Sequence, residues 1–263
     1  MSEFQFLNID INNHIACVTL SRPPVNALSV DLVNEMTAAF LQLKNDSVVR
    51  VVLITSAQKV FVAGADIDML KLFSQKNNHY KMIEFVQRLQ LANSILEDMA
   101  KPTIAVINGH AMGGGTEMAL FCDFRFIAET ATMGLPEINL GLLPGTGGIQ
   151  KMVRLIGRTK ALRIMLQGNA LSAQEALSLG LVEEVCTSCK LMDSAMELAQ
   201  DLAQRAPLAI GEIKKCVNKA MEMDREASLK EDVSGVGNLF VTQDANEGIR
   251  AFLEKRLPKF KGL

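Results

Sequence analysis

Ile107-Asn108-Gly109-His110-Ala111-Met112-Gly113-Gly114-Gly115-Thr116-Glu117 is the densest signal in the chain. It joins a short β-branched run, Thr103 to Ile107, to a segment that turns helical near Thr116. Three adjacent glycines leave the backbone bare, so a ligand can approach the amides closely. The N–H groups at a helix start have no intrahelical acceptor and point toward negative atoms. A tight turn under crowded packing is the bland alternative. The spacing is not the nucleotide-binding G-x-G-x-x-G, and no acidic partner is placed for it.

The flanking sequence repeats the same alternation of strand, glycine turn and helix. Residues 4 to 9 and 14 to 20 read as strands around Asn12-Asn13, and Val49 to Thr55 as a strand covered on both faces. Ser29 or Asp31 caps a helix running to about Lys44, and helical text runs from about Asn78 to Met99. Phe124 to Ala128 and Val182 to Val185 complete the strand-like segments. Gly157, Gly168 and Gly180 stand at helix ends, and Ser172-Ala173-Gln174-Glu175 forms a capping box. This is an α/β layered core. After Met192 only helices are expected, with breaks near Pro207, Gly235-Val236-Gly237 and Gly248. A soft boundary near residue 200 separates a core, 1–200, from a helical region, 201–263, that would pack on the core or on another subunit.

At 263 residues, with 49% hydrophobic and 21% charged, the chain can bury one large core without disulfides or metal. Its 27 basic and 29 acidic residues give a net charge of -2, so no global positive field invites nucleic acid. Five irregularly spaced cysteines argue for a reducing compartment. Met1-Ser2-Glu3-Phe4 opens no leader pattern, and no apolar stretch suits a membrane span. A cytoplasmic protein is expected.

Several residues carry candidate chemistry. Val62-Ala63-Gly64-Ala65-Asp66 follows the Val49–Thr55 strand. With the Gly113–Gly115 turn it could supply two backbone donors to one carbonyl oxygen, an oxyanion hole. Glu117 and Glu137 stand among apolar residues, which raises a carboxyl pKa and suits proton transfer. Alternatively Glu117 complements a helix dipole and Glu137 merely starts a helix after Pro136. Asp66 reads first as a helix cap, and Asp123 as a helix end or a partner of Arg125. His110 reads as a loop residue. Three scattered histidines support no zinc site. Cys186-Thr187-Ser188-Cys189 lacks the context of a redox or metal motif, and the glycine turn contains no nucleophilic serine. Pro144-Gly145-Thr146-Gly147-Gly148 either shapes a pocket wall or turns the chain. Arg250, Lys255, Arg256, Lys259 and Lys261 form a basic tail that is either a solvated helix face or a phosphate contact.

Taken together, Arg22-Pro23-Pro24-Val25-Asn26-Ala27-Leu28, Phe61–Leu70, Lys101–Asp123, Pro136–Gly148 and Phe252-Leu253-Glu254-Lys255-Arg256 resemble the crotonase superfamily, most closely its enoyl-CoA hydratases. The resemblance covers nearly the whole chain. It implies a spiral of repeated ββα units followed by a C-terminal helical trimerisation region. It implies a lyase that adds water across the 2,3 double bond of a trans-2-enoyl-CoA to give a 3-hydroxyacyl-CoA. Glu117, as the carboxylate that deprotonates water, and Glu137, as the general acid, match the family's catalytic glutamates, and the amides of Ala65 and Gly114 match its oxyanion hole. Substrate-binding positions by the same carry-over are Lys59, Ala63, Asp66, Ile67 and Gly113. Phe260 and Lys261 would reach the nucleotide end from a neighbouring subunit. The family's frequent lysine after the first strand pair is absent, since Arg22 is followed by Pro23 and Pro24. The expected partners are the acyl-CoA thioester and further copies of the chain, in a homotrimer or a dimer of trimers. No metal or separate cofactor is implied, because coenzyme A is part of the substrate. The rivals are double-bond isomerisation or another acyl-CoA reaction and, more remotely, a non-enzymatic RNA-binding scaffold.

Overall fold

The computed structural model describes residues 4–76 and 78–263. The leader reading of Met1 to Glu3 lies outside them. Along the chain the strands are β1 (Leu7–Asn12), β2 (Ile15–Leu20), β3 (Val51–Ser56), β4 (Thr103–Ile107), β5 (Ala111–Met112), β6 (Phe124–Ala128), β7 (Thr132–Gly134), β8 (Leu171–Ser172) and β9 (Glu184–Cys186). The larger sheet has the order β1-β2-β3-β4-β6-β9, antiparallel only between β1 and β2. Asn13 and His14 make the β1–β2 turn with φ of 49° and 69°, the left-handed geometry that matches strand twist in tight hairpins. Every residue of β3 and of β4 is buried, as their continuous apolar text requires for a parallel sheet covered on both faces.

The smaller sheet, β5-β7-β8, was not legible in the sequence; its strands are two or three residues long. Pairing of Met112 with Gly134 sets the glycine turn beside the segment leading to Glu137.

The helices of the core are α1 (Val30–Asn45), α2 (Ile67–Gln75), α3 (His79–Asp98), α4 (Gly114–Phe121), α5 (Gly148–Ile156), α6 (Arg158–Gln167), α7 (Ala173–Leu179) and α8 (Leu191–Ala203). Ser29 caps α1, whose Leu32, Met36, Phe40 and Leu43 enter the core at helical spacing. Gly157, Gly168 and Gly180 terminate α5, α6 and α7. The Ser172–Glu175 capping box is present at the start of α7.

The helical end comprises α9 (Pro207–Ala220), α10 (Arg225–Phe240) and α11 (Gln243–Leu253). Two expected breaks are absent: α10 runs through Gly235 and Gly237, and α11 through Gly248. Packing bears only mildly on Gly235; Gly248 has ordinary clearance, and a Cβ on Gly237 would meet nothing within 4 Å among the described residues. A Cβ on Gly235 would stand 3.2 Å from Glu212 Oε2 of α9, and one on Gly248 3.5 Å from the Phe260 ring. Asp123 also departs from its expected pairing. Its carboxylate takes the Lys214 ammonium at 2.7 Å and both donors of Thr103, whereas Arg125 pairs with Glu183. Lys214, 9% exposed, also donates to the carbonyls of Leu96 and Lys101 and so fastens α9 to the core.

Candidate active site

Two loops converge as the oxyanion reading requires. Met112 N donates to Val62 O at 2.9 Å and Phe61 N to His110 O at 3.0 Å, so the segments leading to Ala65 and to Gly114 run side by side. Leu28 brackets Ala65, donating to Gly64 O at 2.8 Å and accepting from Asp66 N at 3.0 Å. Arg22 locks this corner by donating to Ala27 O at 2.8 Å and to the Asp66 carboxylate at 2.7 Å. The buried Asn26 accepts from Arg22 N and donates to Ser56 Oγ and Phe61 O. Gly113 N is consumed by Gly134 O at 2.9 Å, but the N–H groups of Ala65 and Gly114 have no acceptor among the described residues. Gly114 opens α4, where free amides and the helix dipole act in the same direction.

A cavity of about 310 Å³ holds both glutamates and both free amides, lined by Ala65, Gly114, Glu117 and Glu137 among others. Glu117 lies in the first turn of α4 and is 2% exposed. Its Oε1 accepts from Thr146 N at 2.9 Å and from Gly148 N at 2.8 Å. Burial raises its pKa, and those amide contacts work against the rise. Gly148 has to be glycine: a Cβ there would lie 2.7 Å from Glu117 Cγ.

Glu137 begins a 3-10 turn, Glu137–Leu140, after Pro136. Its Oε2 is buried without a hydrogen-bond partner among the described residues. Burial pushes its pKa up to about 7, and the neighbouring Glu117 charge adds to the rise. Gly113 makes room for it: with φ 52°, its Cβ would stand 2.8 Å from Glu137 Oε1. The molecule thus brings together two carboxyls of unequal surroundings and two unpaired amides in one largely apolar cavity.

The enoyl-CoA hydratase/isomerase family profile matches residues 10–263. The chain belongs to the enoyl-CoA hydratase/isomerase family. It is similar to the short-chain-enoyl-CoA hydratase of Clostridium acetobutylicum, with 38% identity over 92% of each chain. It is 36% identical to the 2,3-dehydroadipyl-CoA hydratase of Escherichia coli K12, over 97% of this chain and 98% of that one. The crystal structure of an enoyl-CoA hydratase from Bacillus anthracis superposes with a TM-score of 0.93 at 35% identity, covering 98% of this chain and 100% of that one. The mixed α/β core with its C-terminal helices is the crotonase fold of this enoyl-CoA hydratase/isomerase family.

The remaining family-derived positions are unevenly placed. Ala63, Ile67 and Gly113 line the cavity with the glutamates. Asp66 does not; it caps α2 through Asp68 N and Met69 N and pairs with Arg22. Burial pushes its pKa up, but the Met69 amide and Arg22 prevail and hold it below the ordinary value. Lys59 is exposed and outside the cavity. Phe260 and Lys261 lie against this chain's own surface: Phe260 O accepts from Arg50, and Lys261 N donates to Asp244. Arg256 and Arg250 of the basic tail are paired with Glu247. His110 is a loop residue bonded to Thr132 Oγ1. The Thr146 and Gly148 amides on Glu117 escaped the sequence reading; the glycine-rich Pro144–Gly148 corner was their signal.

Proposed function

We propose that the protein hydrates trans-2-enoyl-CoA thioesters to 3-hydroxyacyl-CoA. The observation that carries this reading is a buried and a half-buried carboxyl sharing one cavity with two unpaired amides. The thioester oxygen accepts from Ala65 N–H and Gly114 N–H, donors preorganised for charge that develops on that oxygen. Glu117 is the carboxylate. With Oε1 held by two amides, its other oxygen takes a proton from water as the water oxygen bonds to the β-carbon. The alkene electrons move toward the thioester and form an enolate. Glu137, neutral because burial pushes it up to about 7, delivers its proton to the α-carbon. The net change is one water added; the protons on the two glutamates are then redistributed through solvent. Dehydration reverses each step.

Within this reading coenzyme A enters as part of the substrate, and the reaction draws on no separate cofactor or metal. Lys59 and, from a neighbouring copy, Phe260 and Lys261 are the positions proposed to meet its nucleotide end. Exposed Val233, Val236, Phe240, Phe252, Leu253 and Leu257 of the helical end supply apolar surface for a homotrimer or a pair of trimers. No helix among the described residues is long and apolar enough to cross a membrane. With the five free cysteines this favours the cytoplasm.

Incubation with crotonyl-CoA and with a 3-enoyl thioester tests the reading. The expected result is 3-hydroxybutyryl-CoA from the first. Turnover confined to moving the double bond of the second would replace hydration by isomerisation.

A further inference from the structure

α3 carries one buried polar side chain among the described residues, Asn93, on a face otherwise made of Phe85, Leu89, Ala92, Ile95 and Leu96. Dehydrating an amide there is unfavourable unless hydrogen bonds replace its water. Asn93 recovers only one. Its Nδ2 donates to Thr146 O at 3.1 Å, and its Oδ1 is buried with no partner among the described residues. A leucine would continue the apolar face, so core packing does not call for asparagine at this position.

The bond lands on the corner that serves Glu117. Gln90, one turn before Asn93, donates Nε2 to Gly145 O at 2.7 Å. Glu97, one turn after it, pairs with Lys151 in the first turn of α5. Spacings of three and four residues put Gln90, Asn93 and Glu97 in one stripe of the helix. Gly145 C=O and Thr146 N–H belong to one trans peptide and point in opposite directions, the oxygen to Gln90 and the N–H to Glu117 Oε1. A donor on the oxygen polarises that peptide and strengthens the bond its N–H gives. Thr146 O belongs to the next peptide, whose tilt sets where the chain delivers Gly148 N–H to the same carboxylate oxygen.

We propose that Gln90 and Asn93 are positioning residues for the reaction: through the carbonyls of Gly145 and Thr146 they hold the two amides that fix the Glu117 carboxylate. This rests on the reading of Glu117 as the base that activates water. Neither side chain lines the catalytic cavity, so both act on the carboxylate and not on the thioester. If this seam slackens, the amide donors retreat from Oε1, the Glu117 anion loses their support, and the carboxyl keeps its proton to higher pH.

The test uses Asn93→Leu, which removes the buried donor at nearly constant volume, and Gln90→Met, which removes the other donor from an exposed position where folding is not at stake. Infrared spectra of enzyme carrying isotope-labelled glutamate, each taken as a difference against the same background with Glu117→Gln, follow protonation of Glu117 without substrate. Initial rates on crotonyl-CoA give kcat and KM. The titration of Glu117 is expected to move to higher pH in both variants. Loss of one hydrogen bond is worth about two- to tenfold in an equilibrium, so kcat should fall about tenfold in Asn93→Leu and about threefold in Gln90→Met, with KM within about twofold. A Glu117 titration unmoved in Gln90→Met and, where it folds, in Asn93→Leu would overturn the inference, as would a loss expressed in KM with kcat intact. The infrared readout needs no turnover, so the two readings separate. A shifted titration in protein that hydrates no enoyl thioester defeats the hydratase alone. Rapid hydration, with kcat and titration unmoved in the variants, defeats the positioning role alone.

Discussion

Glu137→Gln is expected to make the protein more stable and almost inactive. The carboxyl is titrated in the folded chain at about 7 instead of its ordinary 4.5, chiefly because burial penalises the anion. Between those values the folded state holds a proton that the unfolded chain has released, so stability falls as pH rises through the window and stays low above it. One pH unit of such displacement corresponds to about 1.36 kcal/mol, which sets a ceiling of about 3 kcal/mol. The side chain is only half-buried, so solvent screening reduces this to about 1–2 kcal/mol. Glutamine has nearly the same shape and cannot ionise, and the unpartnered Oε2 offers no hydrogen bond to lose. For a chain of this length, about 1–2 kcal/mol moves Tm by roughly 2–8 °C. The assay is urea or thermal unfolding of both proteins at pH 5 and pH 8.5, at equal protein concentration, since any self-association adds to apparent stability. The advantage of the variant should be small at pH 5 and full at pH 8.5. An advantage that is absent at pH 8.5, or equal at the two pH values, would show that Glu137 is not held neutral by burial. The assignment of Glu137 as acid would fall with it.

Three further outcomes follow from the same contacts. In hydration of crotonyl-CoA, activity should fall as pH rises past about 7, where Glu137 loses its proton, and again on acidification, where Glu117 gains one at a pKa raised by burial; a rate independent of pH from 5 to 9 contradicts the acid–base pair. Gly148→Ala places a Cβ 2.7 Å from Glu117 Cγ and displaces the carboxylate from its two amides, so kcat should drop about 100-fold or more, while overpacking costs about 1–3 kcal/mol in unfolding; near-normal kcat would mean that this cradle is dispensable. Lys214→Met leaves the Asp123 carboxylate without its cation and α9 without its anchor, costing about 3 kcal/mol in urea unfolding, and an unaffected midpoint would refute that role.

How far the sequence could be read follows from where each element's determinants lie. Val51–Ser56 and Thr103–Ile107 carry their own burial in largely apolar, β-branched text, and Phe124–Ala128 does so but for the buried Arg125, so local text suffices. Ala111–Met112, Thr132–Gly134 and Leu171–Ser172 do not. Two or three residues have no period, and these become strands only because partners tens of residues away supply their hydrogen bonds. The glycines of the helical end show the same limit from the other side: a single glycine costs a helix only about 1 kcal/mol, and α10 and α11 run through Gly235, Gly237 and Gly248. At the candidate site the local text showed the residue types, and only the family resemblance supplied their division of labour. Both glutamates stand in apolar text, and nothing in either sequence neighbourhood distinguishes acid from base. The distinction enters with Pro144–Gly148, which delivers two amides to Glu117 and none to Glu137. One loop, about thirty residues along the chain from the carboxylate it serves, thereby lowers the cost of a charge at one carboxyl and leaves the other to keep its proton. Moving that loop should reassign the pair without altering either glutamate, which is why Gly148→Ala, and not a change at Glu117 itself, tests whether surroundings set the roles.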